Sequence, residues 1–192
     1  MFKNLILFLT FFVISNSMIL CQEEQNLLSA PDDWKSERLD FPLSFAPSID
    51  LVGFEDLRFA PDWSDSTGQN FWTYKFVWFT EKEFQLTESS LSASLESYFN
   101  GLMGVNTKGE KSANGPNKTL CIFIKTDEGF RGRVRVHDAF FTKKEMTLHV
   151  KVKDLVCPKS KKQYVLFELS TKDFDHVTWK IFEDVKLVTE CK

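Results

Sequence analysis

Motifs of the common enzyme chemistries are missing from this chain. It has no Gly-x-Ser-x-Gly elbow, no His-Glu-x-x-His helix, no phosphate-binding loop and no dinucleotide fingerprint. Phosphate-loop and Rossmann enzymes are thereby disfavoured. Cysteine is sparse, with 4 in 192 residues, and neither a Cys-x-x-Cys pair nor a Cys/His cluster of metal-ligand spacing occurs. No metal and no cofactor is expected. The formal net charge is only −3, which predicts neither a nucleic-acid binder nor, for the chain as a whole, a membrane-surface protein. Long apolar runs are absent except at the N-terminus.

That one run has the layout of an export signal. Lys3 supplies a positive end, and Leu5 to Leu20 is apolar apart from Thr10 and the Ser15 to Ser17 cluster. The run is short and polar at its end for a membrane span, and Gln22, Glu23 and Glu24 follow at once. Residues 1–21 are therefore expected to be a signal peptide, and the product secreted or periplasmic. A rival route makes Cys21 the lipidated first residue of a membrane-anchored lipoprotein. Leu20 argues against it, because Gly, Ala or Ser normally precedes such a cysteine. Loss of residues 1–21 removes one basic residue from the 24 basic and 27 acidic, and leaves a length that suits one domain with a full core.

Three cysteines then remain, and an odd number in an oxidising compartment leaves one unpaired. Cys121 sits in the apolar stretch Leu120 to Ile124 and is expected to be a buried free thiol. Cys157 and Cys191 occupy turn-like and terminal positions, so a disulfide between them is the expected pairing.

Residues 22–38 read as a loose polar lead-in anchored by Trp34, and 39–192 as a single domain. Leu43 to Pro47 and Leu57 to Pro61 share Leu-x-Phe-Ala-Pro, each stopped by proline, and read as two short extended segments joined by a turn. Phe71 to Thr80 is apolar on both phases, with Trp72, Tyr74, Phe76 and Trp78 on one face, which predicts a strand covered on both sides. Leu91, Leu95, Tyr98, Phe99 and Leu102 then recur at helical spacing over Thr87 to Gly104, with Thr87 as cap and Gly101 or Gly104 as stop. Strands follow at Thr119 to Thr126, Arg131 to Phe141, Glu145 to Leu155 and Gln163 to Ser170. A second helix is predicted over about 173–186. The class is α+β: an antiparallel β-sheet with two main helices.

Alternation places Arg131, Arg133, Arg135 and His137 on one face of a strand, with Val134 and Val136 on the other. If Leu148, Val150 and Val152 join that apolar face, His149, Lys151 and Lys153 lie beside the arginines, which requires an odd-numbered loop. A basic face of Arg131, Arg133, Arg135, His149, Lys151 and Lys153 suits an anionic ligand or an acidic protein partner. The competing account is a solvated face, or one neutralised by the acids of residues 22–65. A second candidate is an aromatic cavity near Trp72, Tyr74 and Trp78 for an apolar ligand: four of the 20 Phe lie in residues 1–21, and the abundance of those that remain implies either a dense aromatic core or rings that line a cavity.

Catalytic readings are thinner. A secreted hydrolase could use His137, His149 or His176 with a loop carboxylate or serine. Glu55-Asp56 and Asp62 with Asp65 could form carboxylate pairs for a divalent cation or for glycoside hydrolysis, although solvated loop acids explain them as well. His176 and Trp179 would neighbour each other on the last helix, and Asn117 begins a glycosylation sequon that matters only in a eukaryote.

The stretches Phe41 to Pro47 and Gly53 to Trp63, with Phe71-Trp72, Phe174, His176 and Trp179, resemble uncharacterised exported proteins of bacteria. The resemblance implies export and one domain, and it adds no catalytic residue. The expectation is a non-enzymatic binding or interaction module.

Overall fold

The computed structural model of the chain describes residues 26–105, 118–189 and 191. Residues 1–21 with Cys21, the loop expected from Lys108 (apart from Lys118) and Asn117 lie outside the described residues.

In chain order the elements are β1 (Leu28–Ser29), β2 (Lys35–Asp40), β3 (Gly53–Phe59), β4 (Tyr74–Thr80), α1 (Glu88–Gly104), β5 (Leu120–Thr126), β6 (Gly129–His137), β7 (Glu145–Val156), β8 (Gln163–Ser170), a 3₁₀ helix (Val177–Asp184) and β9 (Lys186–Leu187). Seven strands make one antiparallel sheet in the order β2-β3-β4-β8-β7-β6-β5, and β1 pairs with β9 in a small second sheet. The first three strands form hairpins, α1 carries the chain across to the far edge, and β5 to β8 meander back until β8 pairs with β4. This is an α+β fold.

Helix α1 forms where the apolar stripe predicts it. Thr87 caps it: the Ser90 amide donates to the Thr87 hydroxyl at 3.1 Å, while the Thr87 amide donates to the Ser90 hydroxyl at 2.8 Å. The two residues thereby satisfy each other's amides. Leu91, Leu95, Tyr98, Phe99 and Met103 face the sheet and are buried, each stabilising by roughly 1.5–3 kcal/mol. Met103 completes the stripe where Leu102 was expected, and Leu102 is half-buried. Gly101 does not stop the helix. It lets the helix approach the loop beneath, since a Cβ there would sit 1.8 Å from the Phe45 carbonyl oxygen.

The inner face of the sheet carries the main core, with Leu57, Phe76, Trp78, Phe167, Leu148 and Val134 against α1. A smaller core lies on the outer side of β4 and β8, where Val77, Tyr164, Leu27, Leu28, Val185 and Cys157 meet. Strand β4 is apolar on both phases because both its faces are covered, as its sequence implies.

Three local expectations are corrected. The lead-in is not loose: within 22–38, β1 pairs with β9, and β2 is the edge strand beside β3. Its sequence, KSERLD, hides the strand because most of its side chains face solvent. Leu43 to Pro47 is not extended, since amides of Ala46 and Ile49 bond back to Leu43 and Ala46 at 3.0 Å, burying Leu43, Ala46 and Ile49 at a spacing of three. The helix expected over 173–186 is a shorter 3₁₀ turn. The Trp179 indole donates to the carbonyls of Lys172 (3.2 Å) and Asp173 (2.8 Å), which holds 171–176 as a loop. Lys75 Nζ donates to the carbonyls of Phe182 (3.3 Å) and Val185 (2.9 Å), which ends the turn and frees the chain to enter β9. Among the described residues, no helix is long and apolar enough to cross a membrane.

Candidate functional site

An aromatic cavity of about 400 Å³ opens between α1, β2 to β4 and the loop before β7. Its walls include Phe45, Phe59, Trp63, Trp72, Tyr74 and Phe140, with Glu37 and Ser44 as polar members. The aromatics brace one another: the Phe59 and Trp63 rings are 4.5 Å apart, and Trp63 stands edge-on to Trp72 at 6.0 Å. Trp72 precedes β4 and has a positive φ of 51°, a region that non-glycine residues rarely adopt and that costs on the order of 1–3 kcal/mol. Its amide donates to the Trp63 carbonyl at 2.8 Å, which fixes the conformation and turns the indole inward.

Two of these walls are polar in a particular way. Nε1 of Trp63 and Nε1 of Trp72 are both buried without a hydrogen-bond partner. An unpaired buried donor costs on the order of 1–3 kcal/mol, and both nitrogens are enclosed by the surrounding side chains, so the walls of the cavity are their rings.

Behind Tyr98 lies Glu55, fully buried, with Oε1 accepting from the Tyr98 hydroxyl at 3.1 Å and Oε2 unpartnered. Burial pushes its carboxyl up to about 8, with smaller opposing contributions from Tyr98 and Trp78, so at neutral pH it is mainly protonated. The Trp78 indole N–H lies close enough to favour the anion slightly but makes no hydrogen bond of good geometry. Asp138 shapes the rim from the other side. Its carboxylate accepts from the amides of Phe140, Phe141 and Thr142 at 3.0, 3.1 and 2.7 Å. Burial raises this carboxyl, but those donors outweigh it and hold it below the ordinary range.

Of the three aromatics singled out in the sequence, Trp72 and Tyr74 line the cavity. Trp78 does not, because it is enclosed between Phe41 (5.9 Å) and Phe167 (4.7 Å) further along β4. Phe45, Glu37 and Leu39 come from segments whose approach depends on long-range pairing, and no local signal announces them.

The basic hairpin puts the expected side chains on one face, with Arg131 facing Lys151, Arg133 facing His149 and Arg135 facing Thr147, and its loop is odd-numbered; β6 ends at His137, short of the expected Phe141, so the loop has seven residues. Its surroundings differ from the expectation that acids of 22–65 neutralise it. Arg135 Nε lies 3.7 Å from Glu145, Arg131 lies over the Phe174 ring at 4.7 Å and Lys151 over Trp179 at 4.5 Å. Arg133 and Lys153 have no hydrogen-bond or ion-pair partner among the described residues. His149 is only 7% exposed and sits under the 171–176 loop, where Nε2 meets Asp173 at 3.0 Å. Burial lowers its basicity, Asp173 opposes that, and Arg133 adds to it. It is not part of the open surface.

The Glu55–Asp56 pair does not form. Glu55 and Asp56 are adjacent on β3 and point to opposite faces: Glu55 faces inward, while Asp56 accepts the amides of Leu27 (2.7 Å) and Leu28 (2.9 Å) on the outer side and pairs with Arg58. Asp65 accepts the Thr67 amide and hydroxyl at 2.8 Å each, and those bonds lower its carboxyl. Among the described residues there is no group of three or more His, Cys, Asp or Glu that could hold a metal. The His149–Asp173 pair lacks a nucleophile: Nδ1 is unpartnered, and the nearby Ser170 hydroxyl bonds Thr73 and accepts the Lys172 amide. His176 instead caps the 3₁₀ turn through the Thr178 amide at 3.2 Å. Cys157 and Cys191 are disulfide-bonded with Cα atoms 5.2 Å apart, and Cys121 is free and half-buried.

No family model matches the chain, and neither a curated protein nor a solved structure does.

Proposed function

We propose that the chain is an exported, non-catalytic binding module whose aromatic cavity receives a small, largely apolar ligand. The observation that carries this reading is a cavity of about 400 Å³ walled by Phe45, Phe59, Trp63, Trp72, Tyr74 and Phe140. That volume is within the range of small-molecule sites, and apolar walls with a few placed polar groups are their usual make-up. Glu37 at the lip favours a neutral or cationic molecule over an anionic one. The Cys157–Cys191 bond supports export, since such bonds persist in oxidising compartments. The covalent mass of protein recovered from its own compartment distinguishes removal of residues 1–21 from a lipidated Cys21.

A neutral carbonyl fluorophore such as 6-propionyl-2-dimethylaminonaphthalene tests the cavity. Native protein is expected to bind it with blue-shifted emission, Ser44→Trp to abolish the shift by filling the mouth, and Trp72→Ala to weaken it about tenfold by removing a wall ring. Equal emission with all three proteins overturns the assignment.

A further inference from the structure

The outer side of the sheet is only half covered. Over β4 and β8 lie β1, β9 and the 3₁₀ turn, whereas over β5, β6 and β7 the described residues place less: Trp179 of the 3₁₀ turn against Lys151, and the loop carrying Asp173 and Phe174 against His149 and Arg131. On that open half, alternation brings two unlike rows side by side. Leu120, Ile122 and Ile124 of β5 are 45%, 67% and 60% exposed. Directly across the ladder from them stand Arg135, Arg133 and Arg131 of β6, with Lys151 and Lys153 of β7 beyond.

An exposed aliphatic row of this kind is uncommon on a soluble surface, and the cation row beside it narrows what can cover it. A second copy placed face to face would set arginine against arginine. An aqueous polyanion would satisfy the arginines and leave the isoleucines in water. An anionic bilayer offers both chemistries in the same order, phosphates at the surface and acyl chains beneath. The acids nearby are Glu145 against Arg135, Asp173 against His149, Asp127 and Glu128 in the β5–β6 turn, and Glu168, which stands across from Lys151 but is paired with Lys75 at 3.0 Å.

We infer that the open side of β5, β6 and β7 docks on an anionic phospholipid bilayer, its arginines on lipid phosphates and Ile122 and Ile124 at the boundary between headgroups and acyl chains. Lys153 extends the cationic strip.

Co-sedimentation of the full chain with vesicles tests this. Vesicles of phosphatidylcholine and phosphatidylglycerol in equal parts are expected to bind the protein at low salt and release it at high salt, while phosphatidylcholine alone does not bind. Joint Arg131→Ser, Arg133→Ser and Arg135→Ser substitution should weaken partitioning on the order of 100-fold, and Ile122→Ser with Ile124→Ser about tenfold. All five positions are solvent-exposed, and unchanged circular dichroism and melting confirm that each variant remains folded. Absence of binding by the native chain overturns the inference. So does full binding by the isoleucine variant, which with capture by inorganic polyphosphate assigns the face to a soluble polyanion, and so does retention only by an acidic protein.

Discussion

The two halves of the sheet's outer side share one pleat and differ in nearly everything else. Over β4 and β8 the outward positions are Val77, Phe79, Tyr164 and Leu166, and a second layer is bound to them. Over β6 and β7 the outward positions are Arg131, Arg133, Arg135, His149, Lys151 and Lys153, and among the described residues they meet only Phe174, Asp173 and Trp179 in place of a continuous apolar layer. The covering layer is short, with two-residue strands and one 3₁₀ turn, so it depends on a few attachments: Asp56 with Arg58, Lys75 with the 3₁₀ turn, and the disulfide. The comparison teaches that the layer is placed by anchors buried among the apolar groups, not by apolar area alone.

Breaking the anchors should therefore have the largest effect. Arg58→Ala leaves the Asp56 carboxylate buried with its cation gone, and a loss of about 3–5 kcal/mol is expected in urea titration. A loss below about 1 kcal/mol would mean that the layer is held elsewhere. Cys157→Ser with Cys191→Ser reopens a loop with a sequence separation of 34, for which about 2–4 kcal/mol is expected from chain entropy; melting under reducing and oxidising conditions checks it.

Glu55 sharpens the contrast from the inner side, where a carboxyl is tolerated only in its neutral form. Its pKa is raised from 4.5 to about 8, so the folded state holds the proton more tightly than the unfolded chain. The stability linked to that proton is complete below about pH 4.5 and is lost as pH rises through about 8, at up to about 1.4 kcal/mol per pH unit. Glu55→Gln should flatten that slope in denaturant midpoints taken from pH 5 to pH 9, and an unchanged slope would assign the pH dependence to other groups. At the bare end the effect should be smallest: Ile122→Ser is expected to change stability by no more than about 0.5 kcal/mol, and a loss of several kcal/mol would show that this row is covered within the fold.

Much of this arrangement was legible where a period runs unbroken. The α1 stripe and the Thr87 cap follow from spacing, and the alternating valines and arginines of β6, matched against Leu148, Val150 and Val152, predict which side chains share a face and an odd-numbered loop, but not the pairing of His137 with Glu145. Polar strands were less legible. Lys35 to Asp40 has no apolar alternation, because an edge strand facing solvent needs none. Asp56 and Arg58 offered a signal that was passed over: two opposite charges at i and i+2 inside an apolar strand lie on one face, and burial there requires them to pair. The cavity was legible only in part, since Trp72 reads as the start of β4 until its backbone turns left-handed, and Trp78 sits in phase with Tyr74 but beyond the opening. Phe45, Leu39 and Glu37 reach it through pairings set far away in the chain.

Strand β5 ends the sheet, and an unpaired strand edge is an invitation to further strands. Helix α1 answers part of it. The Thr119 amide donates to the Asn100 side-chain oxygen at 2.9 Å and the Cys121 amide to Glu96 at 3.2 Å. Side chains thus occupy the positions where a neighbouring chain would begin to add, so this margin resists growth into ribbons or fibrils even with three aliphatic residues exposed along it. Without the side chains of Glu96 and Asn100, the amides of Cys121 and Thr119 would return to the open edge.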